Sequence, residues 1–280
     1  MRAALAEDIG TGDVTSLATV PASARAHARL VAKAQGIIAG TAAAETVFRA
    51  VDPAVVTTLH VADGAHVGSG DLVLEVAGLA RSLLAAERTA LNFLGRLSGV
   101  ATLTAQYVAA VAGTRARIID TRKTTPGWRA LEKSAVRAGG GTNHRQGLYD
   151  MALVKENHIR AAGGITAALR ACRSYLDAHN MRGIRIEVET TSLAEVDEAL
   201  AVGCSRIMLD NMSLDQMRTA VARIRERMPA PEIEASGDMT LDRVRAVAET
   251  GVDFISVGAL THSAPALDLS LLFSSSLRIT

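Results

Sequence analysis

The chain has 280 residues, with 30 lysines and arginines against 29 aspartates and glutamates; this near balance argues against nucleic acid or an anionic membrane as the main partner. Apolar residues make up 49% and aromatics 3%, enough for one large barrel or two smaller domains, and no run of about 18 apolar residues is present to span a membrane. Cys172 and Cys204 lack CxxC spacing and the start lacks the apolar core of a signal peptide, so a cytoplasmic, reducing setting without disulfides or zinc is expected.

Residues 1–20 open with a short helical segment and continue as a loop, because Gly10, Gly12 and Asp13 are turn signals. A weakly alternating strand is expected over 26–38, a helix over 41–51, and a β-branched strand over 55–61. The spaced glycines of DGAHVGSGDLVLEVAG predict a hairpin, similar to those of lipoyl and biotinyl modules. No lysine stands at its turn, so it reads as scaffold. The longest helix is expected over 82–111, with Leu83, Ala86, Ala90, Leu91, Leu94 and Leu97 at helical spacing and Gly95 and Gly99 bending or interrupting it.

From Arg117 the pattern alternates. Strands are expected over 117–120, 151–155, 184–189, 206–210, 232–236 and 253–257, with a short extra one at 135–138. Helices fit over 127–137, 165–179, 193–202, 214–228 and 241–250. Ser192, Ser213 and Thr240 are N-cap candidates, Gly203 and Gly251 C-cap candidates. Such alternation implies parallel strands joined by right-handed crossovers, as a closed or nearly closed barrel in the first instance and an open doubly wound sheet in the second. No GxGxxG follows a strand, which weighs against a dinucleotide fold.

The stretch from Ile119 to His158 is the chemical centre. It carries Arg122, Lys123, Arg129, Lys133, Arg137, Arg145 and Lys155. Cations at strand ends repel one another unless an anion fills the space between them, and a small anion bearing carboxylates or phosphates is the simplest filler. Gly139, Gly140 and Gly141 are expected to let backbone approach that anion. The bland alternative is a set of unrelated surface ion pairs. The other strand ends add Glu189 and Asp210, whose carboxylates suit Mg2+, or else simply pair with an arginine or lysine. Ser236, Gly237 and Asp238, and Val257, Gly258 and Ala259, offer backbone donors for a phosphate, as well as tight strand-to-helix turns. His144 is placed to hydrogen-bond a carboxylate or carry a proton.

At DTRKTTPG, GGGTNHRQGLYD and LVKENH, together with AERTALNFLGRLSGVAT, EDIGTGDVTS, IEVET, LDN and VGALTHSAPALDLSL, the sequence resembles the quinolinate phosphoribosyltransferases over nearly its whole length. The resemblance implies an α/β protein. An N-terminal α/β sandwich occupies 1–111, the tail 264–280 packs back on it, and an incomplete parallel α/β barrel occupies 112–263. It also implies a homodimer or higher homo-oligomer. The implied reaction joins quinolinate to the ribosyl phosphate of phosphoribosyl pyrophosphate, with Mg2+, and releases pyrophosphate and CO2 in NAD biosynthesis. Carried over by motif, Arg122, Arg145 and Lys155 hold carboxylates and phosphates, with Thr121, Lys123 and His144 beside them. Lys155, Glu189 and Asp210 are the catalytic candidates, the two carboxylates lying near the ribose and the metal-bound pyrophosphate. The 236–238 and 257–259 segments hold the 5′-phosphate. Arg88, otherwise an exposed helix residue, reaches a neighbouring subunit's site. The family usually has Gly where this chain has Asp238, and a carboxylate there repels phosphate unless it points away. Three rival readings are a related transferase acting on another base, a barrel lyase forming a Schiff base on Lys155, and a non-catalytic anion-binding protein that keeps the fold.

Overall fold

The computed structural model describes residues 1–274. In chain order it contains α1 (Arg2–Ile9), α2 (Val14–Thr19), β1 (Arg25–Ala32), β2 (Gly36–Ile37), α3 (Thr41–Val51), β3 (Val56–Leu59), β4 (His66–Val67), β5 (Leu72–Leu79), α4 (Ala80–Ala110), β6 (Arg117–Ile119), α5 (Arg129–Ala138) and β7 (Ala152–Val154). There follow α6 (Glu156–Ala162), α7 (Ile165–Ala178), β8 (Ile186–Thr190), α8 (Leu193–Val202), β9 (Arg206–Asp210), α9 (Leu214–Arg225), β10 (Glu232–Ser236), α10 (Val244–Ala248), β11 (Phe254–Ser256), α11 (Ala259–His262) and β12 (Leu269–Phe273). Two compact units emerge: Met1–Ala105 with Leu131–Gly140 and the chain from Ser263 onward, and Gln106–Ala130 with Gly141–His262. Among the described residues no helix is long and apolar enough to cross a membrane.

The first unit is built on a four-stranded antiparallel sheet, ordered β12-β1-β5-β3. Strand β1 alternates as a half-buried strand should, with Ala26, Ala28 and Leu30 inward and Arg25, His27 and Arg29 outward. The strand expected over 26–38 breaks in two, and β2 pairs with β4 in a separate two-stranded sheet. The expected hairpin is therefore not local: β5 pairs with β1 and β3 rather than with β4. The segment read as a loop after Gly10 contains α2, because the Asp13 side chain accepts the Ser16 N–H at 3.0 Å and caps it.

Helix α4 runs unbroken for 31 residues, with Leu83, Ala86, Ala90, Leu94 and Leu97 all buried on one face. Gly95 and Gly99 do not interrupt it. They admit the returning chain: a Cβ on Gly99 would lie 1.9 Å from the Pro265 carbonyl oxygen, and one on Gly95 3.0 Å from that of Leu267. Strand β12 then joins β1, while 275–280 lie outside the described residues.

The second unit holds a six-stranded, wholly parallel sheet ordered β6-β11-β10-β9-β8-β7. Its central strands are buried on both faces, with Val188, Ile207, Leu209, Ile233, Ala235 and Ile255 fully enclosed. Strands β6 and β7 end the order, and the barrel is incomplete between them. Ser192 and Ser213 cap α8 and α9 by accepting the Glu195 and Gln216 N–H groups. The extra strand expected at 135–138 is instead the last turns of α5, whose buried Glu132, Lys133, Ala135 and Val136 follow a helical rather than an alternating period. The helix expected over 241–250 shrinks to α10, and Thr240 serves through its carbonyl, which accepts the Val244 N–H at 3.0 Å.

Candidate active site

Parallel strands bring all their C-terminal ends to one edge of the sheet. Here those ends, with the 141–151 segment, enclose a cavity of about 590 Å³ in the second unit. Thr121, Arg122 and Lys123 enter it after β6, Lys155 after β7, Glu189 from β8 and Asp210 from β9. Ser236, Gly237 and Asp238 follow β10, Gly258 follows β11, and His144 and Arg145 come from the 141–151 segment.

One side of the cavity is cationic. Arg122, Lys123 and Lys155 are exposed, whereas Arg145 is buried and anchored by a 3.1 Å bond from its guanidinium to the Met151 carbonyl. Burial, and then the charge of Arg122, push the Arg145 pKa down. Crowded like charges of this kind favour an anionic ligand. Three members of the cationic stretch are used elsewhere. Arg129 donates to Thr124 Oγ1 and the Gln146 carbonyl, and Lys133 and Arg137 belong to α5 in the first unit. The glycine triplet does not line the cavity: a Cβ on Gly139 would meet the Ala101 carbonyl at 2.3 Å, so its smallness serves packing against α4.

The carboxylates face the cations. Glu189 Oε2 accepts from Lys155 Nζ at 2.9 Å, and Asp210 Oδ2 accepts from Asn211 Nδ2 at 2.9 Å. Simple pairing therefore holds for Glu189, yet both groups still present hard oxygen donors of the type Mg2+ takes. Gly237 adopts φ 115°, and a Cβ there would fall 2.2 Å from Asn211 Oδ1, so no other residue fits this turn. Asp238 is exposed, and its carbonyl accepts from Arg243, which also donates to the Met212 carbonyl and ties the loop down. Two expected phosphate donors do not line the cavity. Val257 is buried and spends its N–H on the Ile119 carbonyl at 3.0 Å, completing the strand pairing, and Ala259 opens α11 without lining the cavity. Arg88 stands exposed on α4, in the first unit.

Beneath the cations His144 meets a carboxylate, as its sequence context suggests, within a buried polar group whose other members the sequence does not single out. His144 Nε2 stands 3.1 Å from Glu187 Oε2 and 3.2 Å from Glu234 Oε2. Arg206 continues the chain, donating to Glu234 at 3.1 Å and to Glu232, with its guanidinium 4.2 Å above the Phe254 ring. Burial and the neighbouring Glu234 push Glu187 up to about 7 against the opposing pull of His144. Burial would lower His144, but its contacts with Glu187 and Glu234 prevail and raise it to about 9. The available signal was chemical: Glu187 stands between Ile186 and Val188, and Glu234 between Ile233 and Ala235, at buried positions where a lone carboxylate is costly.

Two family models match the chain: the N-terminal domain of quinolinate phosphoribosyl transferase over residues 13–98 and its C-terminal domain over 100–272. The chain belongs to the quinolinate phosphoribosyltransferase family. A probable nicotinate-nucleotide pyrophosphorylase (carboxylating) from Synechocystis is 49% identical over 95% of this chain and 89% of its own length. Among solved structures, NadC from Streptococcus pyogenes is 42% identical with a TM-score of 0.91, covering 98% of this chain and 95% of that one. The nicotinate-nucleotide pyrophosphorylase of Francisella tularensis is 40% identical, also with a TM-score of 0.91, covering 98% and 94%. The incomplete barrel and the separate antiparallel sheet are thus the architecture of this family.

Proposed function

We infer that this chain transfers the phosphoribosyl group of phosphoribosyl pyrophosphate to quinolinate, with loss of pyrophosphate and CO2, and so makes nicotinate mononucleotide for NAD biosynthesis. The observation that carries this is the convergence of Arg122, Lys123, Arg145 and Lys155 with Glu189 and Asp210 on one cavity of a family member. The cations hold the two carboxylates of quinolinate so that the ring nitrogen faces C1 of the ribose. Departure of pyrophosphate builds positive charge at C1, and the Glu189 and Asp210 carboxylates stabilise it. Glu189 and Asp210 are also the residues that would hold Mg2+, which when bound neutralises charge on the leaving pyrophosphate. Backbone donors at Ser236, Gly237 and Gly258 receive the 5′-phosphate. Decarboxylation then relieves charge at the ring without a protein nucleophile.

Arg88 completes the cavity of a second copy in a homodimer or larger assembly; its exposure and the family resemblance support this role. Two free cysteines support a cytoplasmic setting. Lys155 is exposed and held by Glu189, the opposite of the desolvated amine that Schiff-base chemistry needs.

The test is release of labelled CO2 from carboxyl-labelled quinolinate. Release that requires both phosphoribosyl pyrophosphate and Mg2+ is expected; release independent of the sugar phosphate, or none, overturns the assignment.

A further inference from the structure

The buried group under the cavity has a direction built into it. The backbone N–H of Arg145 donates to His144 Nδ1 at 2.7 Å. A nitrogen that accepts a hydrogen bond carries no proton, so the ring proton sits on the other nitrogen, Nε2. That is the nitrogen facing Glu187 and Glu234. The Arg145 N–H already points at Nδ1, so that nitrogen stays bare and the ring proton is held at Nε2, on the side of the two carboxylates. The backbone of His144 is fixed too: its N–H donates to Asp120 Oδ1 at 2.8 Å.

We propose that Glu187 and Glu234 are positioning residues for substrate binding: they lock His144 as the Nε2–H tautomer, and the bare Nδ1 in turn locks the main chain of Arg145. The sequence of contacts runs from Arg206 through Glu234 to His144 and then to Arg145, whose guanidinium lines the cavity. The arrangement resembles the way a carboxylate sets the tautomer of a functional histidine elsewhere. It places the demand for orientation on Arg145, the most buried of the four cations, which has no strand ladder of its own. The proposal rests on the reading that Arg145 holds a quinolinate carboxylate.

The test separates the two. In steady-state kinetics, Glu187→Ala is expected to raise the KM for quinolinate by about tenfold or more, since the buried carboxylate that faces Nε2 at 3.1 Å is removed, while the KM for phosphoribosyl pyrophosphate stays within about twofold. Glu187→Gln keeps an acceptor for Nε2–H and is expected to return the quinolinate KM to within about threefold of the parent. An unchanged quinolinate KM in Glu187→Ala, an equal rise in both KM values, or a failure of Glu187→Gln to restore binding overturns the relay. Nitrogen NMR of histidine-labelled native protein, with His144 assigned through His144→Asn, reads the tautomer without any variant at the glutamates. A proton on Nε2 alone is expected, and a proton on Nδ1 overturns the proposal. Arg145→Ala, run alongside, tests the substrate reading separately: an unchanged quinolinate KM there removes the role given to Arg145, whatever the tautomer.

Discussion

Arg122 and Lys155 stand exposed at the cavity edge, so their side chains contribute contacts to a ligand and few to the fold. Arg122→Ala and Lys155→Ala are expected to lower kcat/KM by about two orders of magnitude or more, the usual scale for losing a charged contact to a reacting anion. Their melting temperatures should stay within a few degrees of the parent, measured by scanning calorimetry. The buried residues behave in the opposite way. His144, Glu187 and Glu234 bind one proton more in the folded chain than in the unfolded one, because Glu187 is raised to about 7 and His144 to about 9. Raised values in the folded state mean that the stabilisation is complete only below the ordinary carboxylate range, and that it is lost as pH climbs through about 7 for Glu187 and about 9 for His144. Denaturant midpoints are therefore expected to fall from pH 6.5 to pH 9, and the fall should shrink in Glu187→Gln. The exposed cations were legible in the sequence because each closes an apolar run. The meaning of Glu187 and Glu234 is not legible locally, since it depends on His144, which lies 43 residues from one and 90 from the other.

Elements were legible where a local period decided them. The six parallel strands and α7, α8 and α9 follow from alternation, caps and apolar spacing in the sequence itself. The misreadings came from partners distant in sequence. Gly95 and Gly99 look like helix breakers until the 265–267 segment is laid against them. This gives a sign test. Gly→Ala within a helix ordinarily stabilises by up to about 1 kcal/mol. Gly99→Ala should instead destabilise by about 2 kcal/mol or more in urea titrations, because the added methyl overlaps backbone that cannot give way cheaply. In the same way, β5 finds its partners in β1 and β3, a pairing that no turn signal around Gly68 and Gly70 could have specified.

At the scale of the assembly, the role assigned to Arg88 makes each active centre depend on two chains. Mixing Arg88→Ala with Arg122→Ala chains, each inactive alone, is expected to restore about one quarter of parental activity after subunit exchange, since half the dimers then contain one intact centre of two. No recovery, measured by nicotinate mononucleotide formation, would mean that Arg88 serves its own chain's centre rather than a neighbour's. The parallel sheet and its line of polar strand ends could be read from the chain in advance; the open seam between β6 and β7 could not, because order within a sheet is a global property. The 141–151 segment joins β6 around the bridge between Ile119 and Thr142. Side-chain clasps from Asp120 and Asp150 take the place of ladder bonds there. A segment held by clasps opens more readily than one woven into a sheet. As urea rises, its amides should exchange hydrogen for deuterium, and affinity for the pyridine dicarboxylate should decay, before the strands themselves give way: the molecule forgets its substrate sooner than its shape.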